Sequence, residues 1–298
     1  MRTDDDSWDI ETSVGATALG VAAMRAAETR RPDALFRDPY AESLVTAVGS
    51  PAWTRIGHGD IEGFDEAALR AMGPMISSLI ARTCYLDAYC ADAVADGIGQ
   101  IVILASGLDA RAYRLDWPSG TTVFELDLPT ILEFKASALA RVRSDVDRRD
   151  VPVDLRQDWP AALRDKGFDP SRPTAWLAEG LLRYLPAVAQ DRLFDTVTTL
   201  SFSGSRIGTG YVPDIRDRIA KRGKEISERW RRLGLNVNWA DLVYDGERND
   251  ATEYLAARGW QTTVHTTPEL YAANGFEFPD APSMVAFGDI RYVSAELP

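Results

Sequence analysis

Cysteine and histidine are nearly missing: the 298 residues hold two of each. Cys84 and Cys90 stand six apart in a helix-like stretch. That spacing puts them on different helical faces and argues against a disulfide between them. Both read as small buried hydrophobes. His58 and His265 are far apart in the chain. Two thiols and two scattered imidazoles do not compose a zinc cluster, so no metal site is expected. The same scarcity argues against a Ser-His-Asp or Cys-His nucleophile. Long apolar runs are also lacking, and no stretch reaches the about 18 residues of a membrane-spanning helix. The opening Met1-Arg2-Thr3-Asp4-Asp5-Asp6 has no apolar signal core, which makes a cytoplasmic location the default expectation. Positive charge is short as well. With 33 basic against 45 acidic residues the net charge is −12. A broad nucleic-acid surface needs clustered Lys and Arg and is therefore not expected. The expected partner is a small molecule, with neither nucleic acid nor membrane.

What is present is an ordinary globular balance, 45% hydrophobic and 26% charged. Residues 1–13 are polar. An Ala-rich helical stretch covers 14–31 and stops at Arg30-Arg31-Pro32. Asp38-Pro39-Tyr40 opens a second helix, because proline suits the first helical turn. Helical spacing returns over 61–96, where Pro74 is expected to kink the helix or mark a new start. No β pattern precedes residue 100, so 1–98 reads as a helical cover and 99–298 as the core. From there strands are predicted at 101–104, 121–126, 151–153, 174–178, 206–211, 261–266 and 290–294. Helical patterns lie between them at 129–142, 158–166, 187–200 and 249–258. Strands alternating with helices predict an α/β fold with a doubly wound, mostly parallel sheet. The charged segment 212–250 interrupts the alternation. It reads as a solvated helix with salt-bridged faces or as a substrate lid.

The first strand runs into Ala105-Ser106-Gly107-Leu108-Asp109-Ala110. Glycine at such a turn lets backbone approach a ligand closely. In open α/β sheets, ligands lie at the carboxyl ends of the strands. A nucleoside cofactor over Gly107 is the expectation. A degraded dinucleotide fingerprint would fit the spacing too. Asp109, however, sets a carboxylate where a pyrophosphate would sit. That favours a cofactor without phosphate and with positive charge, such as S-adenosylmethionine, over NAD(P). Glu125 and Asp127 end the second strand about 20 residues after the glycine, where a ribose is held through its hydroxyls. Asp127 is favoured, with Glu125 second. Asp154 with Leu155, after the third strand, could take the adenine amino group and ring. Glu179-Gly180, after the fourth, is placed for an amine or a sulfonium. A non-catalytic binding protein on the same fold is a third reading beside methyl transfer and nicotinamide-dependent oxidoreduction.

These segments together resemble one family. They are Ser13-Val14-Gly15-Ala16-Thr17-Ala18, Arg37-Asp38-Pro39-Tyr40-Ala41, Ala81-Arg82-Thr83, the run from Leu104 to Leu115, Glu125-Leu126-Asp127, Asp154-Leu155, and the run from Ala178 to Leu185. The chain resembles the S-adenosylmethionine-dependent methyltransferases abundant in mycobacteria and other actinobacteria, which are related to the leucine carboxyl methyltransferases. The resemblance runs from about residue 8 to the C-terminus. It implies a Rossmann-like class I methyltransferase fold, with a seven-stranded sheet whose last strand is antiparallel, and transfer of a methyl group to a carboxylate or hydroxyl oxygen of a small molecule. It places Gly107 and its turn at the methionine part of S-adenosylmethionine and Arg82 at the cofactor carboxylate. Asp127 falls at the ribose, Asp154 and Leu155 at the adenine, and Glu179 near the amino end. Two positions depart from the pattern. Ala105 stands where glycine is more usual, and Cys84 stands where a second basic residue usually follows Arg-Thr. No residue declares itself as a general base. Tyr184 and Tyr211, at the ends of strands four and five, are the candidates.

Overall fold

A computed structural model describes residues 13–213, 227–228, 231–232, 242, 244, 247–280 and 288–298. Among them seven strands form one sheet. These are β1 (Gln100–Leu104), β2 (Thr122–Asp127), β3 (Asp147–Pro152), β4 (Thr174–Ala178), β5 (Arg206–Tyr211), β6 (Gln261–Thr266) and β7 (Arg291–Glu296). Their order is β3-β2-β1-β4-β5-β7-β6. β7 lies between β5 and β6 and is antiparallel to both, while the remaining pairs are parallel. The direction of winding reverses between β1 and β4, so the ligand crevice of such a sheet lies over their carboxyl ends.

Side-chain alternation explains the two layers. Ile101, Ile103, Val123, Ala175 and Leu177 point to one face, where they meet Leu86, Tyr89 and Cys90 of helix α4 (Glu66–Ala95). Val102, Leu104, Phe124, Leu126 and Trp176 point to the other. There they meet Trp159 and Leu163 of the helix Trp159–Asp165, and Leu193, Phe194 and Val197 of the helix Ala187–Leu200. Each buried Leu, Ile or Phe adds roughly 1.5–3 kcal/mol, so the sheet is held by both faces. Cys90 is buried and Cys84 half-buried, and both thiols are free. Burial pushes them up to about 12 and about 11.

Helices α1 (Ser13–Thr29), α2 (Ala41–Val48) and α3 (Pro51–Gly57) form the cover. Leu19, Ala22, Ala23 and Met24 of α1 pack with Leu44, Val45, Trp53 and Ile56. The same cluster takes in Leu108 and Ala110 of the turn after β1, and Leu242 from the 212–250 segment. The cover therefore shares a core with the turn it shields. Most of 212–250, and with it the helix and lid readings, lies outside the described residues. No helix among the described residues is long and apolar enough to cross a membrane.

Two expectations change. Pro74 neither ends nor restarts its helix, and α4 runs through it unbroken. The helix Thr267–Ala273 packs along α4, and the Tyr271 hydroxyl donates to the Pro74 carbonyl. The third strand begins at Asp147, not 151. Its Asp147-Arg148-Arg149-Asp150 run is an edge strand blunted by charge, a pattern that masks strand alternation. The last two strands pair antiparallel at one edge of the sheet, with β6 outermost. β7 is interior because Tyr292, Val293 and Ala295 are all buried, whereas β6 alternates largely into solvent.

Candidate functional site

The turn after β1 has two residues in left-handed backbone, Ala105 (φ 53) and Gly107 (φ 49). Ala105 is the one non-glycine residue with positive φ among the described residues. An alanine there costs roughly 1–2 kcal/mol. Its methyl packs against the main core, which offsets part of that. The departure from glycine is thereby accommodated. Below the turn lies Lys135, fully buried, whose Nζ donates to Ser106 Oγ (3.2 Å), the Asp109 carbonyl (3.1 Å) and Glu125 Oε1 (2.8 Å). Glu125 Oε2 accepts from Arg148 Nη1 at 2.8 Å. Glu125 is fully buried with both oxygens occupied, which places it under the turn as a support. This corrects its placement beside a ribose: its strand face is closed over by Lys135 and Arg148.

Asp127 lies at the crevice edge. Its Oδ2 accepts from the Gly107 amide at 2.6 Å and its Oδ1 from the Leu128 amide at 2.7 Å. Burial raises its carboxyl above the ordinary aspartate value, and the two amides offset only part of that. The Val153 amide donates to the Asp127 carbonyl at 2.9 Å, which brings Asp154 and Leu155 beside it. Asp154 accepts from the Arg156 amide at 2.8 Å and from its guanidinium. Burial opposes its charge, but Arg156 wins and holds it low. Leu155 packs on the main core.

Over β1 and β4 the side chains form one charged network. Glu179, following β4, lies 2.9 Å from Arg82 Nε through Oε1 and accepts from Arg111 Nη1 at 2.7 Å through Oε2. Asp109 accepts from the same Arg111 nitrogen at 2.5 Å and from the Arg111 amide at 2.7 Å. Arg111 Nε donates to Asp87 at 2.7 Å, and Arg114 donates twice more to Asp87. Asp38 of the cover approaches Arg114 and Arg25 at 3.8 and 3.5 Å. Arg25 also donates to the Leu108 carbonyl at 2.8 Å. Four arginines thus face four carboxylates with no net charge. Burial would push Glu179 up, yet Arg111, then Arg82 and Arg25, hold it far below the carboxylate range. Asp109 is lowered against its burial by Arg111 and Arg25. Asp109 therefore spends its oxygens on Arg111 and bears on a ligand only through it. Arg82 Nε and Glu179 Oε1, although close, make no aligned hydrogen bond.

The two tyrosines part company. The Tyr211 hydroxyl donates to Asp250 at 2.5 Å and lies 3.2 Å from Thr252 Oγ1, at the start of the helix Ala251–Ala256. Burial, followed by the Asp250 hydrogen bond, raises its phenol to about 12. The hydroxyl proton is engaged with Asp250, an arrangement that does not favour Tyr211 as a base. Tyr211→Phe is expected to keep methyl transfer and to lose about 1 kcal/mol of stability. Labelled-methyl incorporation and a denaturant melt check the two halves. Tyr184 ends the 3-10 turn Leu182–Tyr184 and packs against the N-terminal cluster, with Arg183 over its ring at 5.9 Å.

The structure thus gathers Arg82, Ala105, Gly107, Asp109, Asp127, Asp154, Leu155 and Glu179 along the carboxyl ends of β1 to β4. Sequence reasoning assigned no part in the site to Arg25, Asp38, Asp87, Arg111, Lys135 or Arg148. The one local signal was the Asp109–Arg111 spacing, two residues apart in the turn after β1.

Comparison with known proteins gives a consistent picture. The sequence profile described as leucine carboxyl methyltransferase matches residues 18–198. A "Putative S-adenosyl-L-methionine-dependent methyltransferase" of Mycolicibacterium paratuberculosis is 51% identical over 298 residues, 99% of this chain and 97% of that protein. A relative of the same description in Mycolicibacterium smegmatis is 53% identical over 283 residues, 94% of this chain and 92% of its own. The crystal structure of a "putative methyltransferase" from Thermobifida fusca YX shares the fold, with a TM-score of 0.52 at 17% identity. It covers 93% of this chain and 94% of that one.

Proposed function

The chain belongs to the leucine carboxyl methyltransferase family, and from that premise we propose that it moves a methyl group from S-adenosylmethionine to an oxygen of a small molecule, a carboxylate before a hydroxyl. The residues fit this cofactor. Arg82 Nε and Glu179 Oε1 form a close but misaligned pair at the crevice. Each can take a new partner, Arg82 a carboxylate and Glu179 an ammonium, with no change in net charge. Asp127 would accept from the ribose hydroxyls, and Asp154 with Leu155 would hold the adenine. The backbone of Ala105 and Gly107 would line the methionine part. When bound, S-adenosylmethionine supplies a methyl group already activated on a sulfonium.

What remains for the protein is positioning and exclusion of water. α1 lies over the turn, with Ala18 Cβ 3.5 Å from where a Gly107 side chain would begin. The observation that favours a carboxylate over a hydroxyl acceptor is that these groups already have partners: Glu179 and Asp109 both accept from Arg111, and the Tyr211 hydroxyl donates to Asp250. A carboxylate acceptor is already nucleophilic at neutral pH and needs no base, whereas a hydroxyl would gain from one. Calorimetric titration with S-adenosylmethionine and with NAD(P), followed by labelled-methyl transfer to acids of a cell extract, tests this. Binding to NAD(P) alone, or label found only on nitrogen, would refute it.

Asp127 gives a pH prediction. Its carboxyl is raised by burial, so it takes up a proton at higher pH than an ordinary aspartate. Cofactor affinity should be full above that value and fall as the pH drops through it. Asp127→Asn should abolish this dependence and weaken binding by roughly 1.5–3 kcal/mol. Dissociation constants measured from pH 4.5 to 8 check both.

A further inference from the structure

We propose that Arg111 is a positioning residue of the cofactor site: its guanidinium keeps Glu179 a carboxylate and leaves one oxygen, Oε1, turned toward Arg82 for an incoming ammonium group. The proposal rests on the S-adenosylmethionine reading and adds a residue whose side chain is fully buried and acts through its neighbours.

Two carboxylates, Asp109 and Glu179, share the single Nη1 of Arg111, at 2.5 and 2.7 Å. A third, Asp87, takes Nε at 2.7 Å and is itself fixed by Arg114. The charges facing Glu179 are Arg82 from α4, Arg111 from the short helix Arg111–Arg114, Arg25 from α1 and Asp109 from the turn. Because Oε2 is bound to Arg111, only Oε1 is left toward Arg82. Without the shared guanidinium, two buried carboxylates would face each other. Like charges so placed do not both ionise, and one proton stays on the pair near neutral pH. A protonated Glu179 no longer accepts from an ammonium group.

The test compares two probes on the full-length protein. S-adenosylhomocysteine carries the amino-acid end, and 5′-methylthioadenosine carries the nucleoside without it. Their affinity ratio cancels whatever the ribose and adenine contacts contribute, the titration of Asp127 included. In the wild type this ratio should be constant from pH 5.5 to 8. In Arg111→Gln it should be at least tenfold lower at pH 6 and recover as the pH rises, with 5′-methylthioadenosine binding unchanged. Asp109→Asn added to Arg111→Gln removes the competing carboxylate and should restore a flat ratio. A flat ratio in Arg111→Gln, or equal losses for both probes, would overturn the role of Arg111. Wild-type protein that binds neither probe would instead sink the cofactor reading. Carbon-13 titration of the wild-type carboxyls, with Glu179→Gln for assignment, keeps the question open to refutation even if the Arg111→Gln variant does not fold. Glu179 should show no titration above pH 5, and a titration there would overturn the proposal.

Discussion

Lys135→Met is expected to lower the unfolding free energy by about 3 kcal/mol and to weaken cofactor binding with it. Methionine keeps the length and apolar stem of the lysine, so packing is largely preserved. What disappears is the charge under the turn. Glu125, fully buried, would lose its partner at 2.8 Å and keep only Arg148. Breaking a buried pair from one side costs roughly 3–5 kcal/mol, and the surviving Arg148 contact sets the effect at the lower end. The turn would also lose the donor that ties Ser106 Oγ and the Asp109 carbonyl together. The control is Glu125→Met with Lys135→Met. Removing both charges leaves no buried charge unpaired, because Arg148 keeps Asp150, and should recover most of the stability. Denaturant melts of the three proteins decide it. A single variant within about 1 kcal/mol of wild type would show that the pair does not support the turn.

The contrast between what sequence showed and what it hid follows the range of the interactions. β4, β5 and β6 span the predicted residues, as does the helix Ala187–Leu200. Their apolar periodicity is local and strong. β3 extends four residues upstream because its charges pair across the edge with Glu125 and each other, and alternation cannot register that. α3 is seven residues long, opens on Pro51 and is anchored by two inward side chains, Trp53 and Ile56. The site residues at strand ends were legible because topology puts strand ends together. The arginine network was not. Arg111 meets Asp87 across 24 residues and Glu179 across 68, and nothing in either neighbourhood marks the partner. Glu125 shows the converse. A strand-end carboxylate two residues from Asp127 shares its face, but a lysine ten residues onward closes over it.

Gly107→Val should remove measurable cofactor binding, whereas Gly107→Ala should only weaken it. The backbone at this position has φ 49. An alanine there bears roughly 1–2 kcal/mol of strain. Its Cβ would meet Ala18 Cβ at 3.5 Å, an ordinary contact, so the turn can keep its shape. A β-branched residue is a genuine outlier in this region. The turn would relax toward negative φ and carry the residue 107 amide off Asp127, which it now reaches at 2.6 Å. Losing that charge-assisted hydrogen bond adds roughly 1.5–3 kcal/mol. Strain and lost hydrogen bond together correspond to roughly a hundredfold in affinity or more. Both S-adenosylhomocysteine and 5′-methylthioadenosine should be affected, because in the proposed site Asp127 would serve the nucleoside they share. Circular dichroism would confirm that the sheet is intact, and calorimetry would read the binding. Valine at 107 with affinity within tenfold of wild type would mean that the cofactor does not lie over this turn. The reading that begins from β1 would then have to move to another strand end.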